Sequence, residues 1–225
     1  MWEKHQRSGV VELGEQAPDF HADSTDGDLS FHDWIGDSWV LLLSHPADFT
    51  PICTTELGLI ARVKTEFESR NTKILGLSVD TVETHRKWIL DIEEIYNVSI
   101  DFPILEDPDQ RISRLYGLIH RNESTELTIR SSVIIDPQKR IRLFQHYPLT
   151  VGRNIEEILR VIDALQAADR SGAVTPANWY PGDKVLIPPH LSDPEATEKF
   201  PHGWRKVRDY FRVTELKPAA GRRDH

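Results

Sequence analysis

The chain has 225 residues, of which 39% are apolar and 28% are charged, and its formal net charge is −9. This composition excludes an intrinsically disordered protein, because disordered chains have too few apolar side chains to form a core. The longest apolar runs, such as residues 39–43, fall far short of the roughly 18 to 20 residues that a membrane-spanning helix needs. The negative charge argues against a nucleic-acid partner, and the lack of an apolar segment in the first 20 residues predicts a cytoplasmic rather than a secreted protein.

The first half of the chain alternates strand and helix patterns. Val40–Ser44 is a short apolar run that stops before a proline, which is typical of a buried strand, and a helical spacing of apolar residues starts near Cys53. Lys73–Val79 is a second strand candidate, and Asp80 with Glu83 resembles a capping box that opens another helix. This alternation predicts a parallel sheet and an α/β fold.

The pattern changes in the middle of the chain. A short helix is expected over Asp109–Tyr116, and two strand candidates follow at Ile129–Ile135 and Ile141–His146. The residues between these two strands suit a type I turn, so the pair predicts an antiparallel hairpin. Asn154 is positioned to cap the clearest amphipathic helix, whose apolar residues continue to Leu165.

Proline becomes frequent after residue 168, where several aromatic and aliphatic residues are also present. This shift divides the chain into a main domain, 1–168, and a C-terminal extension, 169–225, which we expect to form a small appended arm or subdomain.

Cys53 is the single cysteine of the chain, which excludes an intrachain disulfide. An isolated cysteine is usually a small buried apolar residue, so a chemical role depends on its surroundings. The unpaired N–H groups at the start of a helix favour a thiolate there. Glu56 would oppose that thiolate, so a cation is needed nearby, and Arg130 on the first hairpin strand is the candidate.

The segment before the cysteine has the composition of a rigid polar pocket. Thr50 carries a hydroxyl that can donate to and accept from a bound oxygen species, while Pro46 and Pro51 stiffen the loop and remove N–H donors. Charge stabilisation in the transition state would then fall to Thr50, Arg130 and the helix N–H groups.

The segment HPADFTPICTTELG resembles the active-site segment of peroxiredoxins, whose pattern Pro-x-x-x-Thr-x-x-Cys is filled here by Pro46, Thr50 and Cys53. The stretches at 147–154 and 175–183 are similar to the one-cysteine subfamily, so the resemblance covers nearly the whole chain. It implies a thioredoxin-like fold with a C-terminal extension. It also implies that Cys53 is the nucleophile, that Thr50 and Arg130 orient and polarise the peroxide, that Pro46 shields the thiolate, and that His45 lies beside the pocket.

The activity that this resemblance implies is a thiol-dependent peroxidase. Cys53 would reduce hydrogen peroxide or an organic hydroperoxide, become a sulfenic acid and be regenerated by an external thiol. The family also implies a homodimer or a ring of dimers, with no cofactor. From the residues themselves, the ten histidines show no HExxH, no CxxC and no ligand-like pairing with carboxylates, so no metal site is predicted.

Two residues near the site keep two interpretations each. His45, at the end of a strand, could make a structural hydrogen bond or contribute to catalysis. Arg153 could support the residues that contact the substrate, or it could be a solvated residue at the start of a helix.

The sequence leaves three other functions open. Some one-cysteine relatives are reported as phospholipases, and Ser38 with His32 could form part of such a site, but its G-x-S-x-G pattern is incomplete. The turn position that would supply the acid holds Gln138, which leaves Asp136. The second alternative is a redox sensor or holdase that signals through Cys53 without sustained turnover. The third, a Cys/His transferase or protease, lacks a base and orienter pair beyond His45.

Overall fold

The computed structural model describes residues 10–216. The chain divides into two compact units between Ile155 and Glu156. The boundary expected after residue 168 falls inside a helix, α6 (Ile155–Ser171). Ala164 and Ala167 of this helix pack in an apolar cluster with residues further along the chain, such as Trp179, which explains why α6 groups with the C-terminal segment.

The first unit contains seven strands and five helices among the described residues. The strands are β1 (His21–Ser24), β2 (Gly27–Ser30), β3 (Trp39–Ser44), β4 (Thr72–Ser78), β5 (Ile104–Glu106), β6 (Arg130–Ile135) and β7 (Ile141–Tyr147). The helices are α1 (Phe31–Ile35), α2 (Pro51–Arg62), α3 (Lys64–Glu68), α4 (Val82–Tyr96) and α5 (Arg111–Leu115).

These strands form one mixed sheet in the order β2-β1-β5-β4-β3-β6-β7. The three central strands β3, β4 and β5 are parallel, as the α/β alternation predicts, and the hairpin β6–β7 is antiparallel as expected. The sheet as a whole is mixed, because β6 runs antiparallel to β3 and the hairpin β1–β2 adds at the other edge. Ser44 pairs with Ser131, so the start of β6 lies beside the end of β3, where the cysteine loop begins.

The core of this unit surrounds the central strands. All six residues of β3 are buried, and one apolar cluster joins Leu42 of β3 to Leu75 of β4, Leu105 of β5 and Val133 of β6. A strand buried on both faces has no polar alternation, which is why β3 is recognisable in the sequence as a continuous apolar run.

The start of α4 differs from the predicted capping box. Thr81 is the N-cap, and its hydroxyl accepts a hydrogen bond from the backbone N–H of Thr84. The Asp80 carboxylate instead accepts hydrogen bonds from Ser78 Oγ and from the backbone N–H of Asp48. A residue that is engaged by a distant loop cannot also cap the helix, so the predicted cap at Asp80 is wrong by one residue.

The second unit has its own small sheet and core. Its strands β8 (Val185–Leu186), β9 (Trp204–Arg208) and β10 (Phe211–Thr214) form an antiparallel sheet in the order β8-β10-β9. Helix α7 (Asp193–Lys199) begins with a capping box between Ser192 and Glu195. None of the helices within residues 10–216, α6 included, has the length and apolarity needed to cross a membrane.

Candidate active site

The end of β3 and the start of α2 together position Cys53. After Ser44 the chain turns through a loop to Thr50, which is the N-cap residue of α2 with an extended backbone, and Pro51 is the first helical residue. Proline suits this position because its fixed φ matches a helix and its missing N–H is not needed there. Cys53 is therefore the third residue of α2, where it is fully buried at the positive pole of the helix.

Arg130 provides the cation that the sequence requires near the sulfur. Its Nη1 atom lies 3.2 Å from Cys53 Sγ and donates a second hydrogen bond of 3.0 Å to Glu56 Oε2. Its Nε atom donates to the backbone carbonyl of Leu149. Arg130 is nearly fully buried, so its charge acts on the sulfur with little screening by water.

A second arginine, Arg153, also binds the carboxylate of Glu56. Arg153 Nε donates to Glu56 Oε1 at 3.0 Å and Arg153 Nη2 donates to Oε2 at 2.7 Å, which is a bidentate ion pair. Arg153 Nη1 also donates to the carbonyls of Ser44 and Ser131, at 2.8 Å each. Of the two interpretations of Arg153, the structure therefore favours support of the site over solvation.

Glu56, Arg130 and Arg153 are called the arginine cluster below. Burial alone would raise the pKa of Glu56, but the charge and hydrogen bonds of Arg153 and the charge of Arg130 outweigh it and hold that pKa below its ordinary value. The carboxylate is thus ionised and neutralised by two guanidinium groups. Glu56 opposes a Cys53 thiolate less than its sequence position suggests, and the cluster keeps one positive charge in excess.

Thr50 and Pro46 lie in the loop and helix start that precede Cys53. The Thr50 hydroxyl donates to the carbonyl of Ala47 at 2.9 Å, so its proton is engaged and its oxygen is left as an acceptor. Pro46 is buried and has no N–H group to compete for a bound oxygen. Their assigned roles in catalysis stay predictions.

The His45 side chain belongs to a second buried group, called the histidine cluster below. His45 Nε2 lies 2.8 Å from Asp48 Oδ1, and His85 Nδ1 lies 2.7 Å from Asp48 Oδ2. His85 Nε2 is hydrogen-bonded to the backbone carbonyl of Leu105. The structural hydrogen bond that the sequence allowed for His45 is therefore present, and its partner is Asp48.

The histidine cluster is not among the sites predicted from the sequence, whose histidines show no ligand-like pairing with carboxylates. Its possible ligand atoms all lie within 4.8 Å of one another. Three of its four ring nitrogens already make the hydrogen bonds described above, so a metal ion would have to displace them. The spacing of His45 and Asp48 is a local signal that could have indicated this pair, whereas His85 is 37 residues from Asp48 and has no such signal.

The serine proposed as an alternative nucleophile is not joined to its partners. Ser38 Oγ donates to Asn71 Oδ1 at 3.2 Å, while His32 Nε2 is 2.9 Å from the backbone carbonyl of Ala17. Asp136 is buried and accepts a hydrogen bond from Arg142. Each of these side chains has a different structural partner, and nothing in this arrangement supports a hydrolase site.

Comparison with known proteins identifies both parts of the chain. Residues 13–144 match the AhpC/TSA family, and residues 164–203 match the C-terminal domain of 1-Cys peroxiredoxin. A mitochondrial peroxiredoxin of Saccharomyces cerevisiae is 48% identical over 214 residues, which cover 92% of this chain and 82% of the relative. A 1-Cys peroxiredoxin of Dictyostelium discoideum is 47% identical and covers 91% of this chain and 85% of the relative.

Solved structures agree with the predicted fold class. The yeast mitochondrial 1-Cys peroxiredoxin superposes with a TM-score of 0.87 at 48% identity, covering 92% of this chain and 100% of that one. A mutant of peroxiredoxin 6 from Arenicola marina gives a TM-score of 0.87 at 40% identity and covers 93% and 100%. The predicted thioredoxin-like fold with a C-terminal extension is confirmed. The chain therefore belongs to the AhpC/TSA family, within its 1-Cys peroxiredoxins, and it is a thiol-dependent peroxidase.

Proposed function

We propose that Cys53 is the peroxidatic residue and that it reduces hydrogen peroxide and organic hydroperoxides. The observation that carries this assignment is the 3.2 Å contact between Arg130 Nη1 and Cys53 Sγ. A guanidinium group at this distance stabilises a thiolate, and the helix pole adds to its effect. The thiolate is the reactive form of a cysteine nucleophile.

The oxidation step transfers one oxygen atom to the sulfur. The thiolate attacks the terminal peroxide oxygen, an S–O bond forms and the O–O bond breaks, so that sulfur loses two electrons and the departing oxygen gains them. The departing oxygen takes up a proton and leaves as water or an alcohol, and Cys53 becomes a sulfenic acid. Negative charge on that oxygen grows in the transition state, where a fixed cation such as Arg130 has its largest effect.

Thr50, Pro46 and His45 support the reaction in three different ways. The Thr50 oxygen, whose own proton is donated to Ala47, accepts a hydrogen bond from the O–H group of the substrate. Pro46 excludes water and N–H donors from the sulfur. His45 acts through Asp48, with which it is hydrogen-bonded, rather than on the substrate.

Regeneration requires a thiol from outside the chain. Cys53 is the single cysteine, so the sulfenic acid cannot form an intrachain disulfide. A thiol attacks it to give a mixed disulfide and water, and a second thiol then releases Cys53. The structure of the yeast relative was described with a thiol resolving mechanism via glutathione/thioredoxin systems, and we propose a small thiol or a redox protein of that type here.

We propose further that the protein is a cytoplasmic homodimer or ring of dimers. A reducing compartment would supply the external thiol, although the yeast relative is named as mitochondrial. Strand β7 lies at the edge of the described sheet, and an edge strand is a common place for a second copy to pair. Sedimentation analysis tests the assembly, and cell fractionation tests the location.

The decisive experiment compares wild-type protein with Cys53→Ser in a peroxide consumption assay with a panel of thiol donors. We expect sustained turnover by the wild type and its loss in the variant, with unchanged circular dichroism. Residual activity above a few per cent in a folded variant contradicts the assignment. A wild-type protein that oxidises once and shows no steady-state flux indicates a redox sensor instead.

Intact-protein mass spectrometry under non-reducing conditions tests the fate of Cys53. One equivalent of peroxide should add one oxygen, excess peroxide should add two or three, and a small thiol should give a mixed disulfide. A dominant covalent dimer after one equivalent would overturn the external-thiol mechanism, because it would mean that two Cys53 residues resolve each other.

A further inference from the structure

The histidine cluster contains a defined arrangement of protons. A backbone carbonyl can only accept, so His85 Nε2, which faces the carbonyl of Leu105 at 3.1 Å, carries a hydrogen. The 2.7 Å contact between His85 Nδ1 and Asp48 Oδ2 must contain a proton as well. Although burial opposes it, hydrogen bonding to His45 and His85 holds the pKa of Asp48 below its ordinary value, so Asp48 faces both rings as a carboxylate. The carboxylate of Asp48 is then held by donors from both rings.

Asp48 connects this cluster to the loop that precedes Cys53. Its backbone N–H donates to Asp80 Oδ2 at 2.9 Å, so both its main chain and its side chain are anchored. The next residue, Phe49, has a φ of +54°, a left-handed conformation that is strained for a bulky side chain. The Phe49 side chain is 54% exposed and contributes little packing, so the anchoring of Asp48 is what holds this conformation.

The left-handed turn at Phe49 directs the chain into α2. The next residue is Thr50, the N-cap of this helix, and Cys53 is three positions further on. A change in the position of Asp48 would therefore move the Thr50 oxygen relative to the sulfur. The contacts of Arg130 with Glu56 and Leu149 do not pass through this loop, and the cation would remain in place.

The same helix that carries His85 also holds the chain on the other side of Cys53. Trp88 lies one turn after His85 on α4 and is 1% exposed. Its Nε1 donates to Thr54 Oγ1 at 3.1 Å, and its ring centroid lies 5.0 Å from that of His45. One face of α4 thus fixes the loop before the cysteine and the residue directly after it.

We propose that His85 is a positioning residue of the peroxidase reaction. Through Asp48, it holds Thr50 at the distance from the Cys53 thiolate that peroxide attack requires. His85 therefore affects the rate with hydrogen peroxide, which needs the Thr50 oxygen in place, more than the rate with iodoacetamide, which needs the thiolate alone. This proposal rests on the proposed role of Cys53.

Two substitutions separate positioning from simple packing. In His85→Asn the side-chain amide can donate from the position of Nδ1 and keep the bond to Asp48. In His85→Gln the amide can donate from the position of Nε2, towards Leu105, and the bond to Asp48 is lost. The measured quantity is the ratio of the second-order rate constants for Cys53 with hydrogen peroxide and with iodoacetamide. We expect this ratio to fall at least tenfold in His85→Gln and to stay within about threefold of wild type in His85→Asn.

Ile92→Ala is the matched control, because Ile92 is a fully buried residue of the same helix without a hydrogen-bonding side chain. It should lower thermal stability and leave the ratio unchanged. An unchanged ratio in His85→Gln overturns the proposal, and so does an equal fall in both His85 variants that follows their loss of stability.

If His85→Gln does not fold, Asp80→Ala replaces it, because that change removes the acceptor for the Asp48 N–H. The ratio should again fall, and an unchanged ratio in the folded Asp80→Ala protein overturns the proposal. Failure of the proposed function is recognised separately, since the wild-type protein would then consume no more peroxide than Cys53→Ser.

Discussion

The arginine cluster and the histidine cluster both fix the segment from His45 to Glu56, but they do so in different ways. In the arginine cluster the contact is with the reacting atom, because Arg130 Nη1 lies 3.2 Å from Cys53 Sγ. In the histidine cluster the contact is with the loop, where Asp48 accepts hydrogen bonds from His45 and His85. The arginine cluster places a positive charge beside the sulfur, and the histidine cluster fixes the position of the residues that precede it.

The two clusters also differ in how their charge responds to pH. Arginine stays protonated at every pH a protein experiences, so the excess positive charge of the arginine cluster is constant. The histidine cluster instead contains His45, a group whose charge can change with pH and whose pKa burial lowers. The charge that the chemistry requires is therefore carried by groups that cannot lose it. The loop before Cys53 is held in position by groups that need only to form hydrogen bonds.

Glu56→Gln is expected to have the largest effect on stability. It removes the carboxylate that Arg130 and Arg153 share and leaves two buried cations without this partner. Breaking a buried ion pair in this way costs about 3–5 kcal/mol, which urea denaturation measures. Glu83→Gln is the matched control, because Glu83 pairs with Lys87 at an exposed position and should change stability little. Similar losses in the two variants would contradict the structural importance assigned to the arginine cluster.

Arg130→Lys is expected to slow the oxidation of Cys53 by about 10²-fold, the effect of losing one fixed transition-state donor. Lysine keeps the charge but lacks the planar group that contacts Cys53, Glu56 and Leu149 together. Stopped-flow measurement of thiol loss with hydrogen peroxide gives the rate, and Arg140→Lys, at a largely exposed position, is the control. A wild-type rate in Arg130→Lys would mean that a point charge is sufficient.

The parts of the fold that the sequence predicts are those with continuous local patterns. Strands β3 and β4 and the hairpin β6–β7 are apolar runs, and the start of α2 has a proline and a following helical period. Strands β1 and β2 are not predicted, because HADS and GDLS are short and polar. Strands β8–β10 have two to five residues each and lie in a segment whose proline content argues against regular structure.

The site is predictable to the extent that its residues are close in the chain or fall in the family motif. Pro46, Thr50 and Cys53 share one short segment, and Arg130 follows from the need for a cation. The partners that complete the two clusters come from far away, since Arg153 is 97 residues from Glu56 and His85 is 37 residues from Asp48. Such pairs depend on the order of the strands and on helix packing, which local periodicity does not contain.

Acidification should distinguish the two clusters through its effect on stability, which we expect to be smaller than the effects of the two substitutions above. Burial, partly offset by hydrogen bonding to Asp48, holds the pKa of His45 below its ordinary value of 6.5. Below that pH the unfolded chain binds a proton at His45 that the folded protein does not, so stability is complete above about pH 6.5 and falls as the pH decreases towards the lowered pKa. Glu56 adds nothing in this range, because its pKa is lowered from 4.5 and its stabilisation is lost only at more acidic pH.

Urea midpoints between about pH 7.5 and about pH 5.5 test this expectation. In His45→Gln the amide can still donate to Asp48 but does not titrate, so the decline in stability should become shallower. His146 must be measured in parallel, because burial and the nearby His120 also lower its pKa, and His146→Asn should remove a separate part of the decline. If the pH dependence of His45→Gln equals that of wild type, the histidine cluster does not titrate in this range, and both clusters would then carry charges that are constant near neutrality.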